Sequence, residues 1–417
     1  MLRLMALTRV TRLPAGAGRS GGNRVFRGWW IVAALAVTQT VGYGALYYAF
    51  AVLLQPMARD LHASATVVTG ALTASTLAGA VMAVPVGRWL DRHGGRGLMT
   101  TGSLAATALL AAWSQVHTVA QLYAVLVGVG LTSAMVLYEP AFAVVVAWFD
   151  PGRRANALLA ITVVAGFASS VFLPVTGLLV DRYGWREALL LLAVLHGAVT
   201  VPLHALVLRR PPTGPAPSQG HPLTSGRGRA VRDTRFWILA VGFVAHSAAV
   251  SALTVHLVAY LISRGHPATF AAGVAGLLGI LSVTGRVVLT GAQRRVRPST
   301  VVAAIFALQA LAAASLPLAA ASRTGAVIAV VGFGLGFGAA TIARPTMLAD
   351  RYGTSGYATI SGLLTVPVTL AKAGAPLAAA GLMYAAGGYT PVWVAVAVCC
   401  AVAAAGMLTR AGAAPPP

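Results

Sequence analysis

Charge is what this sequence has least of. Asp, Glu, Lys and Arg make up 9% of its 417 residues, against 58% hydrophobic residues. Soluble domains carry about 25% charged residues, so a soluble globular protein is excluded and the chain is expected to live in the lipid bilayer. Acids are scarcest, with 8 Asp and Glu facing 30 Lys and Arg for a net charge of +22. In a soluble protein that surplus would point to nucleic acid. Here the arginines fall in short gaps between apolar runs, the pattern of the positive-inside rule, and no nucleic-acid partner is expected. Lysine is nearly absent, Lys372 being the single one, while Ala, Gly and Val abound, as in a GC-rich bacterial genome. The two cysteines, Cys399 and Cys400, are neighbours in an apolar run and indicate neither disulfide nor metal site. Phosphate-binding glycine loops, zinc spacings and nucleophile elbows are missing too. No catalytic residue, cofactor or metal is expected, and an enzyme is the least favoured class.

What is present is a series of apolar runs, each near the roughly 20 residues needed to cross a bilayer. They lie at about 28–55, 66–86, 97–114, 120–148, 155–180 and 187–208, and then at 236–263, 270–290, 299–320, 325–347, 356–384 and 389–409. The expected fold is an all-α membrane protein of twelve transmembrane helices in two six-helix halves, 28–208 and 236–409. Residues 209–235, with Pro-Pro, Gly-Pro and six arginines, read as the linker between them. Residues 1–27 carry six arginines and no acid, and read as a cytoplasmic tail rather than a signal peptide; residues 410–417 read as a second tail. Lys and Arg concentrate in alternate gaps, which places both termini in the cytoplasm of a bacterium and the chain in its inner membrane. The expected unit is a monomer.

One gap is unusual. Gly87-Arg88-Trp89-Leu90-Asp91-Arg92-His93-Gly94-Gly95-Arg96 sets one acid amid three arginines, with glycines near both ends. An Asp at the end of one helix can pair with nearby arginines and with the positive N-terminus of a neighbouring helix, and Gly87 lets backbones approach closely. The stretch resembles the loop between the second and third spans of major facilitator transporters, in which Gly87, Asp91, Arg92, Gly94 and Arg96 fit the pattern and Gly95 replaces a usual basic residue. The resemblance implies a gating latch; a topology signal with turn glycines is the alternative reading. The halves also echo each other. Pro174 and Gly177 before Gly184 answer to Pro376 and Gly381 before Gly387, an offset of about 202, and Gly87 answers to Gly285-Arg286 at an offset of about 198. Paired halves build a central site near the membrane midplane in this superfamily.

Charges inside spans are costly and usually face a cavity or a partner. Glu139, Arg286, Arg344 and Lys372 are of this kind. Arg286 and Lys372 have no acid nearby in their own spans, so an anionic substrate can supply the missing charge, gripped by the guanidinium fork and by the ammonium point charge. Structural roles remain open for both, including neutralisation of Lys372 by Glu139. Ser282-Val283-Thr284-Gly285-Arg286 and Ala371-Lys372-Ala373-Gly374 resemble the eighth and eleventh spans of the oxalate/formate antiporter and monocarboxylate transporter branch. That resemblance implies carboxylate binding by these two cations. Glu139 is a candidate proton-coupling site or, equally, a permanent partner for Arg286 or Lys372. Arg344, placed three residues from the end of its span, is expected to snorkel to the interface. Gln39, Tyr43 and Tyr47 share a helical face by spacing, as do His256 and Tyr260; each set is a candidate cavity wall or simple helix packing.

The expected function is secondary transport of a small organic anion, a mono- or dicarboxylate, driven by protons or by exchange. Efflux of a drug-like compound or metabolite is the alternative within transport, and a non-transporting membrane sensor the alternative outside it.

Overall fold

A computed structural model describes residues 27–210, 230–293 and 295–409. The expected tails, up to residue 26 and from residue 410, and the centre of the linker at 211–229 lie outside the described residues. Twelve long helices run among the described residues: α1 (Arg27–Asp60), α2 (Ala65–His93), α3 (Gly95–Ser114), α4 (Val119–Trp148), α5 (Pro151–Tyr183), α6 (Trp185–Val207), α7 (Thr234–Ser263), α8 (Ala268–Ala292), α9 (Pro298–Ala319), α10 (Arg323–Tyr352), α11 (Tyr357–Ala386) and α12 (Thr390–Leu408). All except α3 are clearly long and apolar enough to span. Thr100, Thr101, Ser103 and Thr107 dilute the apolar character of α3.

Local chemistry sets the ends. Ser64 and Ser322 accept from the N–H groups of Val67 and Gly325 as N-caps. Thr118 and Gln121 form a capping box at the start of α4. Asp150 precedes Pro151 at the first position of α5. Where the chain reverses from α2 to α3 within a single residue, Gly94 adopts φ +76°, a conformation that a side chain resists.

Helices α1–α6 pack into one half and α7–α12 into the other, with α2 on α4 and α3 on α6 in the first, and α9 and α7 on α12 in the second. Each half has its own apolar core toward one end. Phe50, Trp113, Leu126 and Leu189 belong to the first, and Leu257, Trp393, Phe333 and Leu316 to the second. At the opposite end the two halves share a single core, in which Ile31, Phe142 and Ile161 pack in one cluster with Phe306, Ile342 and Ile360. The halves meet there through α2 on α11, α5 on α8 and α10, and α4 on α10 and α11. This shared end is the arginine-rich face, where α2 turns into α3, α4 into α5 and α10 into α11. The molecule is closed at that face, and its halves have separate cores toward the other.

Candidate functional site

Between the halves lies a junction built from two broken helices. In α4 the helix is interrupted at Leu137, whose ψ of −156° is extended. Pro140 has no N–H to offer the carbonyl four residues back, and the freed Val136 oxygen instead accepts from Gln39 Nε2 at 2.8 Å. In α10 the break falls between Gly334 and Ala339. There Gln309 Nε2 donates to the Phe333 carbonyl at 2.9 Å, while its Oε1 accepts from His246 Nε2 at 2.9 Å. Gly336 is required beside it, since a Cβ would lie 2.3 Å from Gln309 Cδ.

Each break presents one charge. Glu139 stands in the first turn of the second segment of α4, and Arg344 lies past the break in α10, eight residues before Tyr352. Arg344 Nη2 donates to Glu139 Oε1, and Ser361 Oγ of α11 donates to Glu139 Oε2 at 2.8 Å. The two side chains are 16% and 26% exposed, so the pair is only partly withdrawn from solvent. The sequence expectation for Arg344 is corrected here. Helix α10 continues to Tyr352, which sets Arg344 roughly 12 Å inside the helix end at 1.5 Å per residue. It reaches across to a carboxylate rather than outward to the interface.

Of the other two cations, Lys372 lies near this pair. Lys372 sits roughly 22 Å along α11 from Tyr357 and is exposed despite that depth; it lies within electrostatic reach of Arg344 and Glu139. Pro376 frees the Lys372 carbonyl, which accepts from Ser251 Oγ of α7 at 2.7 Å. Arg286 crosses from α8 to α5, where its Nη1 donates to the Thr162 carbonyl at 2.9 Å. Its Nε is buried without a hydrogen-bond partner. It passes so close to the α10 break that a Cβ at Gly338 would stand 2.7 Å from Arg286 Nε. Tyr43, Tyr48 and Tyr138 lie near this guanidinium, with the Tyr43 and Tyr138 rings 4.6 Å apart.

Several residues expected in a cavity wall do other work. A π-helical turn at Gly44–Tyr48 interrupts the 3.6-residue period of α1, so Tyr47 does not share the face of Gln39 and Tyr43. Gln39 is fully buried as the brace of α4, Tyr43 joins Tyr138, and Tyr47 is 49% exposed and rests on Tyr48. His256 Nε2 bonds the Pro376 carbonyl at 3.0 Å and Tyr260 donates to the Leu316 carbonyl at 3.0 Å. Both His256 and Tyr260 meet the Tyr389 ring edge-on within the second half.

At the closed face, Asp91 projects from the last turn of α2 onto the start of α11. Its carboxylate accepts from the N–H groups of Ala358 and Thr359 at 3.0 and 2.9 Å and from the Thr359 hydroxyl at 2.6 Å, where the positive helix end favours it. Gly87 permits the approach, because a Cβ there would meet the Ala358 carbonyl oxygen at 2.3 Å. Arg92 is exposed, and Arg96 Nε donates to the Ala205 carbonyl at 2.7 Å, so these arginines serve the surface and α6 rather than Asp91. A second tie, missing from the sequence expectation, joins Arg154 of α5 to Asp350 of α10 at 3.0 Å. The signal for it was available: Asp150 and Asp350 end equivalent helices of the two halves, about 200 positions apart. Among the described residues no group of three or more His, Cys, Asp or Glu side chains could hold a metal ion.

Two six-helix halves around broken, charged helices define the class of membrane transporters that alternate between faces. Residues 35–376 match the family model described as Major Facilitator Superfamily, and the chain belongs to that family. It is 31% identical over 272 residues to an MFS-type efflux pump of Mycolicibacterium smegmatis, covering 62% of each chain. It is 28% identical over 292 residues to monocarboxylate transporter 4 of Rattus norvegicus, covering 66% of this chain and 60% of that one. The match thus spans about three fifths of the length of both relatives. Among solved structures, the E. coli fucose:proton symporter superposes with a TM-score of 0.73 at 15% identity, covering 91% of this chain and 98% of that one, a likeness of fold.

Proposed function

We propose that the chain is a secondary transporter of a small organic anion, a mono- or dicarboxylate, working by alternating access across the bacterial inner membrane. The observation that carries this reading is the charge balance at the junction. Glu139 is committed to Arg344, and among the described residues Arg286 and Lys372 have no carboxylate partner in their hydrogen bonds or ion pairs. Arg286 presents a guanidinium whose Nε is unsatisfied among the described residues, suited to the two-pronged grip on a carboxylate, and Lys372 adds a point charge. The similarity to monocarboxylate transporter 4 supports the same substrate class. By the positive-inside rule the arginine-rich face is cytoplasmic, so this closed face is the inner one and substrate enters from outside.

Alternation requires the inner face to part. Asp91, Arg154 with Asp350, and Arg286 with Thr162 then exchange their partners for water. Hydrogen bonds to charged groups are worth about 1.5–3 kcal/mol each, whereas interconverting states differ by only a few. Compensating contacts therefore form at the outer face when the inner one opens. Glu139, held by Arg344 and Ser361 at the pivot, is the site at which a proton can couple to this exchange.

The relative named as an efflux pump favours a second reading, export of a drug-like compound. Purified protein in liposomes distinguishes the two. Accumulation of labelled small carboxylates from the outside supports the first; movement of hydrophobic dyes with no carboxylate transport supports the second.

A further inference from the structure

Beside the Asp91 latch lies a cavity of about 160 Å³ with walls from both halves. The α2–α3 turn gives Gly94 and Arg96, the end of α4 gives Trp148, the chain after α6 gives Arg209 and Arg210, and residues 354–358 close it from the second half. Three arginines and one acid therefore line it. That acid is already committed, since both Asp91 oxygens accept from the start of α11.

Two of the arginine side chains are held by backbone carbonyls. Arg96 Nε donates to the Ala205 carbonyl at 2.7 Å. Arg210 Nε and Nη2 donate to the His93 carbonyl at 3.2 and 2.8 Å, and the Arg209 carbonyl accepts from Trp148 Nε1 at 2.9 Å. Each anchored guanidinium keeps further donors, and Thr354 and Ser355 add exposed hydroxyls at the rim. Pre-positioned guanidinium groups around uncompensated charge match the geometry of a tetrahedral oxyanion. Size narrows the ligand further. Drug-sized sites run to roughly 300–1,000 Å³, whereas about 160 Å³ admits a phosphate-sized group with a few waters of about 30 Å³ each.

We propose that this cavity binds a phosphate-class oxyanion and that the bound anion clamps the two halves in the closed arrangement of this face. Because its walls belong to both halves, the complete site exists only while the face is shut, and a ligand that binds one state alone shifts the equilibrium toward it. The inference is independent of the transported substrate. The same chemistry is offered by a free anion and by a phospholipid headgroup at this face.

The test is thermal unfolding of the purified full chain, with each variant compared with its own chloride baseline. In neutral detergent, sodium phosphate is titrated against sodium chloride at matched ionic strength. In lipid nanodiscs, phosphatidylglycerol is compared with phosphatidylcholine. A saturable rise in Tm of roughly 2–4 °C with phosphate, lost in Arg96→Gln and Arg210→Gln, assigns the free anion. A rise confined to phosphatidylglycerol discs and lost in the same variants assigns the headgroup. No rise in either medium, or an equal rise in wild type and variants, overturns the site.

Discussion

Glu139 and Arg344 bind each other across the two halves, each a few residues past a break in its own helix. Both breaks are braced by a buried glutamine, Gln39 at α4 and Gln309 at α10. The pair therefore rests on rigid supports on either side of the line along which the halves must move, and Ser361 ties the same carboxylate to α11.

Removing one partner leaves the other charge partly desolvated. Glu139→Gln and Arg344→Gln are each expected to destabilise the protein, and the double variant to cost less than the sum. A fully buried pair loses about 3–5 kcal/mol when one partner is removed. Side-chain exposures of 26% and 16% lower the expected coupling to about 1–3 kcal/mol. A double-mutant cycle on thermal unfolding in detergent measures it; additive effects would show that the two side chains do not interact.

Proton coupling at Glu139 has a separable signature. Glu139→Gln keeps size and hydrogen bonding but cannot release a proton. Uptake driven by an inward proton gradient is expected to fall to the level seen without a gradient, while exchange of internal for external substrate persists. Gradient-driven uptake at wild-type rate in this variant would remove Glu139 from the coupling role.

The approach of α2 to α11 depends on Gly87 having no side chain, because the atom a Cβ would strike at 2.3 Å is a backbone oxygen. Gly87→Ala is expected to open the closed face, and Asp91→Asn to weaken it by about 1.5–3 kcal/mol through loss of a charged acceptor. Spin labels at His93 and Ser355, both exposed, report the separation of the helix ends. Gly87→Ala should lose most of the short-distance population, and an unchanged distribution would contradict the packing argument.

Gln39 supports a helix rather than a substrate. Gln39→Leu leaves the Val136 carbonyl freed by Pro140 unpaired, at a cost of about 1–3 kcal/mol in stability, with KM for the transported anion unchanged. A raised KM at unaltered stability would return Gln39 to the cavity wall.

The sequence revealed the fold for physical reasons, and it singled out Asp91, whose carboxylate accepts from the start of α11. Apolar runs of bilayer length and arginines in alternate gaps are direct imprints of the membrane, and an acid among arginines between two spans has few roles besides a helix end. The partner of Glu139 was hidden by a boundary. The apolar run read as the tenth span ends at Met347, three residues past Arg344, whereas the helix continues through Asp350 to Tyr352. Tyr47 leaves the face of Gln39 and Tyr43 because the π-turn at Gly44–Tyr48 changes the period, and that turn leaves no distinct mark in composition. Spacing placed His256 and Tyr260 on one face but could not say whether that face met a cavity or the neighbouring helices; their carbonyl partners at Pro376 and Leu316 show the latter.

The most direct test of the anion-transport reading is uptake of radiolabelled small carboxylates into proteoliposomes by wild type, Arg286→Gln and Lys372→Gln, with folding of each checked by size-exclusion profile and Tm. Each hydrogen bond to a charged group contributes about 1.5–3 kcal/mol, so each variant is expected to lose roughly ten- to hundredfold in apparent affinity while remaining folded. Wild-type carboxylate transport in both variants, or no carboxylate transport by the wild type, would contradict the account and leave the two cations with structural roles.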